Sequence, residues 1–354
     1  MSDVRGRPAQ EGLKIRYYVM NLIYSHPGES VMLPTSHELA EKFGVARSTV
    51  TLVLKTLTEE GFIAGKRGVG TFTCYNGFIF PGGRRIPLVG LLYGDGKYFF
   101  HEYYSWSLLA CAGRALTLNH SSVRHLALVG MTDDELFEEL CGQYLDGLVW
   151  FHAKESRLPL IRRLEEAGIR VVTYGTFPAE SGIDNFCFDW FRTGEDIGRM
   201  LVAEGRKRLF FAVENESTRS RLDGIRDACR HAGKKLDIHV FHEDMPQVLE
   251  PIEREIAAGV VPDAFYAHGD YFTGIREILA RHRIDTENDC RLIVERHIAG
   301  GDAFRGIRMD VPFEQFGEAL AQRMKRRLEN GPAVPVTVTI PVPVRKIGIK
   351  ETQP

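Results

Sequence analysis

Forty residues, Leu33 to Phe72, leave this chain few folds to choose from. They open LPTSHELAEKFGVARSTVT and close GKRGVGTF. Thr35 precedes Glu38 by three, the spacing of a capping box, so a helix is expected to start there. Leu39, Ala40 and Phe43 give it an apolar stripe, and Gly44 supplies the break. A second helix is expected from near Ala46 to Gly61, burying Val50, Val53, Leu54 and Leu57. Its first turn, Arg47-Ser48-Thr49, sets a guanidinium and two hydroxyls at a helix N-terminus, the end that enters the major groove in helix-turn-helix proteins. Phe62-Ile63 and Thr71-Phe72-Thr73 read as short strands around a basic tip, Gly65-Lys66-Arg67-Gly68-Val69-Gly70. Its glycines carry no Cβ, so the tip can approach a phosphate backbone closely. The whole is a winged helix. An ordinary helical hairpin with a basic loop does not explain cap, turn, helix start and wing together.

Leu33-Pro34, Glu38-Leu39-Ala40, Gly44-Val45, Arg47-Ser48-Thr49-Val50, Leu57, Gly61 and Gly68-Val-Gly-Thr-Phe72 together resemble the DNA-binding domain of the GntR family of bacterial repressors. The resemblance implies that His37, Arg47, Ser48, Thr49, Thr51, Lys66, Arg67, Gly68 and Gly70 face double-stranded operator DNA. His37 and Thr51 stand where that family commonly has Arg, so base contacts are expected to differ there. Ala46 replaces the usual hydroxyl cap, a change worth about 1 kcal/mol of helix stability.

At 354 residues the chain has room for a large second domain. No apolar run approaches the roughly 20 residues of a membrane span, and the N-terminus lacks a signal-peptide core, so a cytoplasmic protein is expected. Six cysteines without a CxxC pair read as reduced structural thiols. The net charge of −2 conceals an asymmetry: through residue 86, eleven Lys and Arg face seven Asp and Glu, leaving the remainder acidic. That pattern suits nucleic-acid binding at one end.

Residues 1–75 are therefore assigned to the winged helix, 76–87 to a Gly- and Pro-containing linker, and 88–354 to a second domain. Beyond the linker, apolar runs at 88–93, 125–129, 147–151, 170–174, 208–213, 237–241, 264–267 and 291–295 alternate with amphipathic stretches. Strands buried on both faces and separated by helices indicate parallel, doubly wound α/β layers in two lobes.

Ile86-Pro-Leu-Val-Gly-Leu-Leu92, Asp146-Gly-Leu-Val-Trp150, Ala167-Gly-Ile-Arg-Val-Val172, Gly205-Arg-Lys-Arg-Leu-Phe-Phe211 and Arg221-Leu-Asp-Gly224 follow the order of the effector domain of the LacI/GalR repressors, a periplasmic-binding-protein-like fold. Pro341-Val-Pro-Val-Arg345 is similar to that family's last strand. A GntR-type winged helix on such a domain resembles the arabinose repressors. Small molecules bind open α/β sheets outside the carboxyl ends of the strands. Asp95, Tyr98 and Phe99 follow the first strand, Arg221 matches a family arginine that holds effector oxygens, and Asp270 and His297 follow later strands. All six are candidate effector residues. Packing at the sub-domain seam is the alternative for Tyr98 and Phe99, a surface salt bridge with Asp223 or Glu214 for Arg221, and a helix cap for Asp270. Where the family carries Gly-aromatic-Asp-Asp, this chain reads Val294-Glu-Arg-His297, a cationic loop that suits a sugar acid.

No HExxH, GxSxG, P-loop or GxGxxG is present, and His239 and His242 sit at an acidic turn, so neither cofactor nor metal is expected. The resemblance implies a homodimeric repressor, not an enzyme, that leaves its operator when a carbohydrate effector binds between the two lobes. The alternative is a sugar-binding or sugar-modifying enzyme with a DNA-binding tail.

Overall fold

The computed structural model describes residues 7–26, 29–74, 86–93, 103–143, 145–212, 216–242, 248–266, 272–296, 305–330 and 333–348. The chain divides into two compact units. One gathers Met1–Phe99, Leu108–Phe186 and Gly317–Thr337; the other gathers Phe100–Ser107, Cys187–Phe316 and Val338–Pro354.

The first unit opens with α1 (Arg7–Ser25), a helix that the reading of the sequence did not include. Ile15, Val19 and Ile23, four residues apart, share one face of it. Val19 and Ile23 pack with Leu33, Leu57 and Ile63, while Ile15 meets Leu39 and Val50. Leu39 comes from α2 (Ser36–Phe43), Val50 and Leu57 from α3 (Arg47–Glu59), Leu33 from the segment before α2 and Ile63 from the first strand of the hairpin, so α1 completes the core of the helix-turn-helix. Tyr17 points to the opposite side and is buried among Phe137, Leu140, Leu164 and Ala167 of the α/β layer. β1 (Ile63–Lys66) and β2 (Gly70–Thr73) pair antiparallel, Ile63 opposite Thr73 and Lys66 opposite Gly70. The hairpin is longer than expected, and its turn is Arg67-Gly68-Val69, with Gly68 at φ 75°.

The α/β part of this unit contains β3 (Leu88–Tyr93), α4 (Tyr103–Leu118), β4 (Ser122–Leu126), α5 (Asp133–Gly142), β5 (Gly147–Phe151), α6 (Leu158–Glu166), β6 (Arg170–Tyr174) and β7 (Asp184–Phe188). Together with β13 (Thr337–Ile340) the strands lie in the order β13-β7-β6-β5-β3-β4, and β4, β3, β5, β6 and β7 run parallel. Every residue of β5 is buried, as a parallel strand covered on both faces must be. β4 lies three residues earlier than the run 125–129 suggested. Its pairing, Leu88 with Ser122 and Leu92 with Leu126, and not its apolar tail, sets the register.

The second unit repeats the plan with α7 (Trp190–Ala203), β8 (Arg208–Ala212), α8 (Glu216–His231), β9 (Asp237–Phe241), α9 (Leu249–Ala257), β10 (Ala264–Tyr266), α10 (Phe272–Arg281), β11 (Arg291–Glu295), β12 (Gly306–Met309) and β14 (Val344–Ile347). The sheet order is β14-β12-β11-β10-β8-β9, with β14 antiparallel to β12. Pro341–Pro343, expected in the last strand, fall between β13 and β14, since proline has no N–H for a ladder. α11 (Phe313–Asn330) follows β12. In both sheets the strand order reverses once, between β3 and β5 and between β8 and β10. Among the described residues no helix is long and apolar enough to cross a membrane.

Candidate functional site

The N-terminal candidate face is set by its caps. The Thr35 backbone N–H and hydroxyl donate to Glu38 Oε2 at 2.7 and 2.8 Å, and Glu38 N–H donates to Thr35 Oγ1 at 3.3 Å. These bonds hold the Glu38 carboxyl below the usual carboxylate range. Gly44 closes α2 in the left-handed region (φ 64°, ψ 34°), which L side chains avoid. α3 then begins after Ala46, which has the extended geometry of a cap (φ −65°, ψ 141°) but no side-chain acceptor. Arg47, Ser48 and Thr51 are exposed on α3 and Thr49 is half-buried. The Thr51 hydroxyl donates to the Arg47 carbonyl at 2.9 Å. His37 is exposed on α2 beside Glu41. On the hairpin, Lys66 Nζ lies 4.7 Å from the Phe72 ring centroid, and Arg67, Gly68 and Gly70 are exposed. The start of α3 and the basic hairpin thus stand open in one module.

Of the effector candidates, Asp95, Tyr98, Phe99, Asp270 and His297 lie outside the described residues. Arg221 is described, and it is no surface residue: it is 2% exposed. Its Nη1 donates to Glu295 Oε1 at 3.1 Å, and Glu295 is 3% exposed. The alternative of a surface salt bridge with Asp223 does not hold, since Asp223 pairs with Arg226; Glu214 lies outside the described residues. The guanidinium carbon sits 4.0 Å over the Trp190 ring and 5.4 Å over that of Tyr266, which itself stacks on Phe211 at 4.2 Å. Burial alone would pull the guanidinium pKa down, but Tyr266 and Glu295 outweigh it and raise it. Arg221 therefore stays charged, with its charge met by Glu295.

Helix packing puts Arg221 there. A Cβ on Gly224 would come within 2.0 Å of the Phe191 carbonyl oxygen, and one on Gly194 within 2.0 Å of the Arg221 carbonyl oxygen. α7 and α8 touch backbone to backbone, which brings the Arg221 side chain over Trp190 at the start of α7. Tyr266, Glu295 and Met309 are the last residues of β10, β11 and β12, the carboxyl ends where open α/β sheets bind ligands.

The sheet of the first unit has its own cluster at the carboxyl ends of its strands. His152, following β5, takes φ 54°, donates its backbone N–H to the Tyr174 carbonyl at 2.7 Å, and sets its ring edge-on to Tyr174 at 5.2 Å. None of Trp190, Tyr266, Glu295 and His152 stands in a sequence motif that marks it as a site residue. Yet Tyr266 and Glu295 lie at the ends of runs already read as strands, and that position was the available signal. Cys141 and Cys290 are pushed up to about 12 by burial, so neither is a nucleophile at neutral pH. His239 is tied to Glu255 and Asp237 at 2.7 and 3.2 Å, and the described residues contain no metal-holding group of three or more His, Cys, Asp or Glu.

Comparison with known proteins adds two family matches. Residues 88–346 match the model of periplasmic binding proteins and sugar binding domains of the LacI family. Residues 25–73 match that of bacterial regulatory proteins of the gntR family. No curated protein sequence matches the chain. Among solved structures, a complex of the transcriptional regulator CelR with cellobiose is 18% identical, with 88% of this chain and 98% of that one covered and a TM-score of 0.62. A lac repressor dimer bound to operator and the anti-inducer ONPF is 13% identical, over 76% and 98% of the two chains, with a TM-score of 0.62. A LacI family regulator from Enterococcus faecium with bound ribose is 17% identical, over 73% and 97%, at 0.59. At these identities the likeness is one of fold.

Proposed function

Because the chain belongs to the family of periplasmic binding proteins and LacI-type sugar binding domains, and carries a gntR-type regulatory module ahead of that domain, we propose that it is a transcriptional repressor released from its operator by a small carbohydrate. The observation that carries this reading is one chain joining an open helix-turn-helix to a sheet whose carboxyl ends converge on Arg221, Glu295, Trp190 and Tyr266. Arg47 reads a base edge or clamps a phosphate, Ser48 and Thr49 bond phosphates, and Lys66 and Arg67 sit on the wing. A single winged helix contacts too few base pairs for genomic specificity, so the protein acts as a homodimer on a palindrome, in the cytoplasm where the DNA is. Coupling is reciprocal: the effector binds DNA-free protein more tightly by the factor, typically about 5–150, by which it weakens operator binding.

The effector is a neutral polyol. The Arg221 charge is already met by Glu295, so this pair offers a sugar acid no free cation; Arg296 beside it is the group that would favour the acid the cationic loop suggested. The test is operator binding followed by fluorescence anisotropy across a panel of neutral sugars and their uronates. At least one neutral sugar should release the DNA and be recovered unchanged by chromatography. Release by a uronate alone would refute the neutral site, and consumption of the sugar would favour the enzyme. Arg47→Ala should weaken operator binding by about 1–3 kcal/mol per half-site; undiminished footprints would show the docking face to be wrong.

A further inference from the structure

The outward face of α3 is not wholly polar. Leu52 is 66% exposed, in the middle of the helix and one turn beyond Ser48, which is exposed on the same side. The buried stripe of this helix is Val50 and Leu57, with Val53 and Leu54 partly buried beside them, so Leu52 contributes nothing to the core. Its neighbour Thr51 is exposed too, and its hydroxyl hydrogen is engaged by the Arg47 carbonyl at 2.9 Å. Thr51 thus has no donor left for a base edge; it offers a methyl group. Thr51 and Leu52 together make an apolar step on a surface otherwise formed by Arg47, Ser48 and Lys55.

In a major groove, base edges present hydrogen-bond donors, acceptors and one apolar feature, the 5-methyl group of thymine. Resting on the DNA-binding reading above, we propose that Leu52, assisted by the Thr51 methyl, is a specificity determinant that selects thymine in each half-site by contact with its 5-methyl group. A cytosine lacks that methyl, and a purine presents a polar edge that Leu52 would desolvate without a partner. The guanidinium of Arg47 supplies affinity nearby, and the apolar step supplies a preference that no charge could encode.

The chemistry allows a test that removes one methyl group and nothing else. Operator duplexes are first selected from a random library with the full-length protein. Each thymine is then replaced by deoxyuridine, and binding is measured by anisotropy for the wild type, Leu52→Ala and Thr51→Ser. Alanine is the best helix former, so Leu52→Ala keeps α3 intact, and serine retains the bond to Arg47. We expect one thymine per half-site at which deoxyuridine weakens wild-type binding about fourfold, the value of one buried methyl group. Leu52→Ala should bind thymine and deoxyuridine duplexes alike, with Thr51→Ser in between. Equal sensitivity of wild type and Leu52→Ala at every thymine, or no sensitivity in either, overturns the assignment. If no sequence is selected at all, the DNA-binding reading itself fails, an outcome distinct from uniform indifference to the methyl group among selected sites.

Discussion

The pair Arg221–Glu295 concentrates what a single residue can decide. Both side chains are buried, so removing either partner leaves an uncompensated charge in the interior, at a cost of about 3–5 kcal/mol. Arg221→Ala and Glu295→Ala should therefore each lower the melting temperature as well as abolish the response to effector. Replacing the two together, Arg221→Met with Glu295→Leu, should recover most of the lost stability, because apolar replacements of similar volume satisfy the interior as well. The double variant should still ignore the effector while holding its operator. Differential scanning fluorimetry with and without the releasing sugar separates the two effects. A normal sugar-induced shift in the double variant would place the effector site elsewhere.

Among the described elements, α7 and α8 cross with their backbones in contact. Gly194 and Gly224 lie where any Cβ would strike a backbone carbonyl, and Gly198 would press on Ala228 and the Ile225 carbonyl. Overpacking of this kind typically costs about 1–3 kcal/mol, and here backbone must move, not a flexible side chain. Gly224→Ala should push α8 away from α7 and carry Arg221 off Trp190. Effector affinity, measured by calorimetry, should fall even though residue 224 touches no ligand. An unchanged affinity would mean that the helix crossing does not position Arg221. The glycine in Arg221-Leu-Asp-Gly224 was legible as a pattern, but its role was not: the atoms it must avoid, on Phe191, lie 33 positions away in the chain.

At the scale of the molecule, α1 belongs to two cores at once. Its Ile15–Val19–Ile23 face closes the helix-turn-helix, and Tyr17 enters the core of the α/β layer. Gly168, at φ 100°, lies beneath it; a Cβ there would meet Asn21 Nδ2 at 2.9 Å and Tyr17 Cε1 at 3.1 Å. The winged helix is thus held to the first α/β layer by packed side chains. We expect the two to unfold in one calorimetric transition. Gly168→Ala adds both backbone strain and a collision, each of order 1–3 kcal/mol, and should split that transition in two. It should also reduce the effector's influence on operator binding. A single unsplit transition in Gly168→Ala would show that the α1 contact contributes little.

Local chemistry made the winged helix readable without coordinates. Thr35 and Glu38 cap each other across three residues, Gly44 turns at a positive φ, and Val50, Val53, Leu54 and Leu57 repeat at helical spacing, so each signal lies within a few positions of its effect. The parallel strands were readable for a similar reason: a strand buried on both faces must be apolar throughout, as Gly147–Phe151 is. Tertiary structure alone decided what meets what. Arg221 and Glu295 are 74 positions apart, and nothing local to either says that one will neutralise the other in the interior. β4 took its register from Leu88 and Leu92, not from its own apolar run. α1 carries no clear signal of its own, because its apolar positions serve two opposite faces, which blurs the single stripe of an amphipathic helix. Capping and burial act over a few residues and are written in order along the chain, whereas charge pairing, register and helix contact act between residues that only folding brings together.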